Sequence, residues 1–295
     1  MPTAAAQSAP TPRAWRNDPS ARIGLLLLAP ALALLLLFFV VPILRIFWVA
    51  LTEPTVGFER YGEFFGSPAA RRSLLTTLRV SAIVTVLATG LGLVIAWELR
   101  TTTQKWKRAA LWLATLFPLW TSVVVRNYAF TILLQRKGIL NTALVSTGVI
   151  DEPLSILYTD AAVVLGMLYT MLPYAILPIY ASLVNLDTSL VSAAESLGAS
   201  RPRAVIDVVL PLIAPSVFAA AAITFVVSVG FYITPILLGG PDSPFLATFI
   251  DQQLFSLYNF PGAAATASIL FLTAAIVVGA AWRVVGFEQI RRALA

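Results

Sequence analysis

Six stretches of this chain stay apolar for about twenty residues or more, and this limits the fold more than any other feature. They cover about 23–51, 74–99, 111–134, 161–183, 208–237 and 263–285. A helix needs about 20 such residues to cross a hydrocarbon core about 30 Å thick. Lipid offers the backbone no hydrogen bonds, so only helices and closed barrels can span it. Barrel strands would read as segments of about 10 residues with alternating polarity, and these runs do not alternate. The composition agrees: 59% of the 295 residues are hydrophobic and 12% are charged. A water-soluble globule could not cover that much apolar surface. The sequence therefore predicts an all-α membrane protein with six transmembrane helices.

The first run is far longer than the roughly 7–15 apolar residues of a signal peptide, and it is read as a retained helix. Lys and Arg are unevenly distributed between the loops. With the N-terminus inside, twelve fall on the cytoplasmic side and five outside, so both termini are expected in the cytoplasm. Trp97, Trp106, Trp112 and Trp282 then mark one membrane interface. This bias also explains the net charge of +6 without any nucleic acid. The expected organisation is a disordered cytoplasmic tail over 1–22, then a first helix and outer loop over 23–72. A membrane core over 73–285 and a short cytoplasmic tail over 286–295 follow.

The chain contains neither Cys nor His. That removes disulfides, thiolate nucleophiles, the commonest metal ligands and the commonest general base. No catalytic residue and no metal ligand set stands out. There is also no G-x-x-x-x-G-K-[ST] phosphate loop, so the chain is not expected to bind ATP in that way or to act as an enzyme.

The connection over 185–215 is the most informative segment. Asp187 suits an N-cap, the following residues suit a helix, and Gly198 suits the position just past its end. Ser200 can cap a second helix with Pro202 in its first turn. The product is a short helix, a glycine turn and a helix that enters the membrane near Pro211. Pattern alone leaves two readings open: an ordinary helical hairpin on the membrane surface, or a docking element for another protein.

The residues here resemble the EAA loop of ABC importer permeases, which reads E-A-A-x-x-x-G, nine residues, I-x-L-P. Ala193, Ala194, Gly198, Leu210 and Pro211 match at the right spacing. Ser192 stands where the family has Glu, and Val208 where it has Ile. Glu195, three residues on, does not occupy the family position, so a contact made by the family Glu is in doubt. Pro118-Leu119-Trp120-Thr121-Ser122, Val125-Arg126-Asn127-Tyr128-Ala129, Leu172-Pro173-Tyr174 and Leu238-Gly239-Gly240-Pro241 resemble the spermidine/putrescine branch. The resemblance implies a type I importer fold in a bacterial inner membrane. It also implies two cytoplasmic ATPases that use ATP and Mg, an external solute-binding protein and a second permease subunit. That second subunit is expected to be different rather than identical. Ser192, Ala193, Ala194, Glu195, Gly198, Leu210 and Pro211 would then form the ATPase-coupling element. The implied cargo is a polyamine, with amino-acid derivatives and aminophosphonates as competitors. Such permeases often carry an acid where this chain has Phe231.

Candidate path residues follow from polarity and helix breaks. Arg126 is a charge inside a span, where function or pairing within the bundle is expected. Trp120, Asn127 and Tyr128 are its neighbours. In the fifth span, Ser228, Phe231, Tyr232 and Thr234 surround Gly230 and Pro235, where a helix break is expected. Arg45 and Arg79 are expected to snorkel. A secondary transporter or channel is the rival class. It would need coupling carboxylates or histidines deep within the spans; the chain has no His, and Glu98 stands only at the cytoplasmic end of the second span.

Overall fold

The computed structural model describes residues 19–187, 189–240 and 243–294. Among them, α1 (Pro19–Leu35) and α2 (Val41–Thr52) form one rod joined by a wide π-turn at Leu36–Val40. The short helix α3 (Glu59–Gly66) leads to α4 (Pro68–Thr101). Ser67 caps α4 by accepting the Ala70 N–H at 3.3 Å, and Pro68 opens it. Next come α5 (Lys105–Trp120), α6 (Val123–Leu134), α7 (Ile139–Ser146) and α8 (Asp160–Val184). The last third holds α9 (Ser189–Ser196), α10 (Arg201–Ala204), α11 (Leu210–Val229), α12 (Ile233–Leu238), α13 (Leu246–Asp251) and α14 (Phe260–Leu294).

Five stretches are long and apolar enough to span by themselves: Leu27–Thr52, Pro68–Thr101, Asp160–Val184, Pro202–Val229 and Phe260–Arg283. The expected third span, 111–134, is not one straight helix. Lys105–Trp120 and Val123–Ser146 meet at 110°, so this stretch is a pair of helices sharply bent at a break. The expected fifth span, 208–237, also stops early, at Val229. The C-terminal helix carries on through the expected tail to Leu294.

The core is the mutual packing of α4, α8 and α11. Gly92 permits the close approach of α4 to α8: a β-carbon there would lie 3.0 Å from Ala175 Cβ and 3.4 Å from the backbone of α8. Small residues of this kind let spanning helices pack backbone to backbone. Two apolar clusters fill the bundle. One contains Val80, Val84, Met167, Met171 and Phe245. The other contains Leu99, Ile176, Ile179, Leu183, Val209 and Ile213, and lies next to α9. Several buried hydroxyls are satisfied within their own helices, as in Thr77 to Ser73 O at 2.7 Å and Thr170 to Gly166 O at 2.9 Å, whereas those of Ser81, Thr224, Ser228 and Thr234 have no hydrogen-bond partner. The N-terminal rod touches the bundle through α2 against α14, whereas residues 27–39 are exposed along their whole length.

Two of the wide turns directly precede a proline. Leu36–Val40 comes before Pro42, and Val205–Val209 before Pro211. Proline has no N–H to donate, and its ring collides with the carbonyl four residues back. Widening the preceding turn relieves that collision and keeps the helix continuous.

Candidate functional site: the connecting element and the helix breaks

The 185–215 connection folds from local signals. Asp187 Oδ1 accepts the Ser189 N–H at 2.9 Å and starts α9. Hydrogen bonds from Ser189, first of all that backbone N–H, hold the exposed Asp187 carboxyl below its ordinary range. At the other end, Gly198 has φ +93°. Its N–H donates to Glu195 O at 3.0 Å, and the Ala199 N–H donates to Ala194 O at 3.0 Å. Nothing lies near the place a Gly198 β-carbon would occupy, so glycine is required here by backbone conformation alone. The chain then re-enters helix, with the Ala204 N–H donating to Ser200 O at 2.9 Å and Pro202 in the first turn of α10. Leu210 packs into the cluster beside α9, and Pro211 sits in the first turn of α11.

This element buries none of its α9 residues within the chain. Ser192, Ala193 and Glu195 are exposed and Ala194 is half-buried. Leu197 is 90% exposed. Sequence reading passed over Leu197, which is a large apolar residue at the tip of the element. The signal available was its position next to the helix-ending glycine. An exposed Leu beside two small residues forms a surface that a partner protein could cover.

The second group lies around the two breaks. At the elbow between α5 and α6, Arg126 points inward and is 6% exposed. Its Nη1 donates to Pro118 O at 2.8 Å, and its guanidinium sits 5.6 Å from the Tyr169 ring centre. The α5 helix leaves the Pro118 carbonyl without a helical partner, and Arg126 supplies one from α6. Arg126 therefore pairs within the bundle. A cavity of about 270 Å³ adjoins it, walled by Phe117, Phe130 and Tyr169. Asn127 is fully buried and donates to Val123 O at 2.8 Å. Trp120 and Tyr128, in contrast, are 76% and 57% exposed. The four residues of this group thus divide between an inner and an outer face.

The break in the fifth span falls at Gly230–Tyr232, three to five residues before Pro235. Pro235 lies in the first turn of α12, where a missing N–H costs no helical bond, so it does not itself break the helix. Thr224, Ser228 and Thr234 are fully buried. Phe231 packs against the core cluster. Tyr232 is half-buried. Gly166 joins the two breaks, and sequence reading missed it. A β-carbon there would lie 2.5 Å from Leu238 Cδ1, 2.9 Å from Thr234 Cγ2 and 3.5 Å from Asn127 Oδ1. This glycine lets α6, α8 and α12 converge. Its partners come from 39 residues before it and some 70 after, so no local pattern could have found it.

Charges at the helix ends are paired. Arg79 bonds to Asp160, which also accepts from Ser243, so Arg79 ties α4 to α8 instead of only snorkelling. Lys107 pairs with Glu98 at 2.6 Å. Trp112 packs edge-on against Tyr180 at 4.9 Å. Among the described residues, no group of three or more acidic side chains could hold a metal ion.

Comparison with known proteins gives the same frame. The family described as binding-protein-dependent transport system inner membrane component matches residues 105–285. The spermidine/putrescine transport system permease protein PotB of Escherichia coli K12 is 32% identical over 210 residues, covering 71% of this chain and 76% of that protein. The inner membrane ABC transporter permease protein YdcU of the same organism is 31% identical over 238 residues, covering 76% and 75%. A chain of a bacterial ABC transporter that imports alginate superposes with a TM-score of 0.76 at 19% identity, over 92% of this chain and 98% of that one. A chain of the MetNI methionine ABC transporter superposes with a TM-score of 0.58 at 17% identity, over 75% and 96%. These two structural matches show the fold.

Proposed function

The chain belongs to the binding-protein-dependent transport system inner membrane components, as a permease of an ABC importer, and from that premise we propose its cargo, partners and working parts. We infer that it forms half of a translocation path for a polyamine delivered by an external solute-binding protein. Support for the cargo comes from the similarity to PotB. ATP and Mg would be used by two partner ATPases on the cytoplasmic side, where both termini lie. A second, different permease would complete the path.

The observation that carries this reading is α9. It is a helix placed between two spans, set by an N-cap and a left-handed glycine, and none of its residues is fully buried within the chain. In this proposal Ser192, Ala193, Ala194, Glu195, Gly198, Leu210 and Pro211 form the coupling element that sits on an ATPase. ATP-driven closure of the ATPases moves α9, and the attached α8 and α11 switch access from outside to inside. Two global states, each favoured by a different ligand, make this an allosteric coupling.

The path is proposed at the two breaks, where Asn127, Ser228 and Thr234 bring polar groups and Trp120, Tyr128, Phe231 and Tyr232 bring aromatic faces. Aromatic faces attract ammonium groups by cation–π interaction, which suits a polyamine where deep carboxylates are lacking. Arg126 is proposed to shape the path by holding the elbow, with its charge directed to the Pro118 carbonyl.

The test is gentle purification from the native membrane, with stoichiometry of whatever accompanies the chain. The expected result is two ATPases and one different permease per copy. A chain that emerges alone would overturn the ATP-coupled mechanism. Ligand screening of the accompanying binding protein then tests the polyamine assignment directly.

A further inference from the structure

A cavity of about 380 Å³ lies beneath the coupling element, between α9 and the ends of α4 and α8. Trp97, Arg100, Leu186, Ser192, Glu195 and Val205 line it. Arg100, in the last turn of α4, donates Nη2 to Leu186 O at 3.1 Å and so ties the end of α4 to the chain leaving α8. Its other terminal nitrogen, Nη1, is buried and has no hydrogen-bond partner. A guanidinium retains its charge under all ordinary conditions, and a buried N–H left unpaired costs free energy.

The neighbouring acids are already engaged. Glu98 pairs with Lys107 at 2.6 Å, and Asp207 pairs with Arg203 at 3.4 Å. Asp187 caps α9 through Ser189. Arg108 donates to Thr102 O at 2.5 Å. Among the described residues of this region, Glu195 is the acid engaged neither in an ion pair nor in a helix cap. It lines the same cavity as Arg100, one helical turn along α9 from Ser192. The cavity separates the two charges in this conformation and leaves α9 room to approach.

We propose that Arg100 is a positioning residue of the coupling element, and that Glu195 closes onto its free Nη1 in one of the two states of the transport cycle. Closure clamps α9 to the ends of α4 and α8, so that movement of α9 is transmitted to the spans. In the other state the cavity is open and the tie to Leu186 alone holds the corner. This inference rests on the permease reading.

The experiment uses the complete reconstituted transporter, with solute uptake and ATP hydrolysis measured together. Arg100→Gln and Glu195→Gln should each lower solute transported per ATP about five- to tenfold, and Arg100→Gln, which lies outside the docking surface, should do so with the ATPases still bound. The exchanged pair R100E/E195R should return to within about threefold of the parent. Intact complexes whose transport per ATP is unchanged in the single variants would overturn the proposal, as would an exchanged pair no better than either single. The chain has no cysteine, so Arg100→Cys with Glu195→Cys gives a clean second measurement that needs no transport. Cross-linking should differ several-fold between nucleotide-free and nucleotide-trapped complexes, and equal yields would refute the two-state closure. Failure of the ATPases to accompany the unaltered chain is a separate outcome: it removes the permease mechanism itself.

Discussion

The α4–α8–α11 core and the α9 element are built in opposite ways. In the core, backbones approach until even a single added methyl group would be crowded, as at Gly92, where it would lie 3.0 Å from Ala175 Cβ. In α9, no residue is buried, and the helix is set by its two ends. The core takes its shape from contacts within this chain. The element meets its own chain only along its inner face, where Val191 packs on the neighbouring cluster, and its outer face, with Ser192, Ala193 and Leu197, is uncovered. Its stability in use has to come from a surface outside the chain, which is what a part that transmits force between subunits requires.

This contrast can be broken first at Gly198. Gly198→Asp places a side chain at φ +93° and adds a charge to the exposed tip, so transport and ATPase association should both be lost. The thermal stability of the membrane bundle should be unchanged. A bundle that melts earlier would show that α9 is part of the core. The reverse result is expected at Gly166→Val, which forces α8 away from Leu238 and Thr234. Overpacking of this kind costs about 1–3 kcal/mol, to be read from detergent-melt curves, with α9 still able to bind the ATPase.

Arg126→Leu should be milder. It leaves the Pro118 carbonyl only the long 3.4 Å bond from Thr121 Oγ1, at a cost of about 1 kcal/mol, and it loosens the 110° bend. Hydrogen exchange should rise in α5 and α6 and remain unchanged in α9. The smallest effect is on pH. The folded Asp187 carboxyl titrates below its ordinary value, so its cap is fully present above that ordinary value and is lost as pH falls through the lower folded one. Exchange in the first turn of α9 should rise only over that acid window, and Asp187→Asn should remove the dependence. Faster exchange of α9 near neutral pH in the unaltered chain would contradict the assignment.

The two regions also differed in how well the sequence revealed them. The start and end of α9 were readable because Asp187, Gly198 and Pro202 act on their immediate neighbours. Span positions were readable because hydropathy averages over twenty residues and tolerates local irregularity. The same averaging hid the elbow at Thr121–Ser122, which lies inside a continuous apolar run and depends on Arg126 reaching back to Pro118. The fifth-span break was expected around Gly230 and Pro235 and falls at Gly230–Tyr232, since Pro235 begins a helix instead of interrupting one. Gly166 was invisible because the groups that need it small, Thr234 and Leu238, reach it only after the bundle has closed. The family pattern pointed to the position of Ser192, whereas the cavity beneath α9 draws attention to Glu195 and Arg100.

The wide turn at Val205–Val209 lies between the coupling element and α11, and it changes the angular phase of everything beyond it. One surplus residue in a turn offsets the side chains on either side by about 100° relative to an unbroken α-helix. A helical wheel drawn from Arg201 through Val229 would therefore assign the wrong faces after Pro211. The same arithmetic gives protein engineering a one-residue control. Deleting a single residue within 205–209 would let the turn close to an ordinary α-turn and leave the coupling element near its present orientation, whereas deleting one residue from regular helix in α11 would turn it through more than a quarter of a circle against the core.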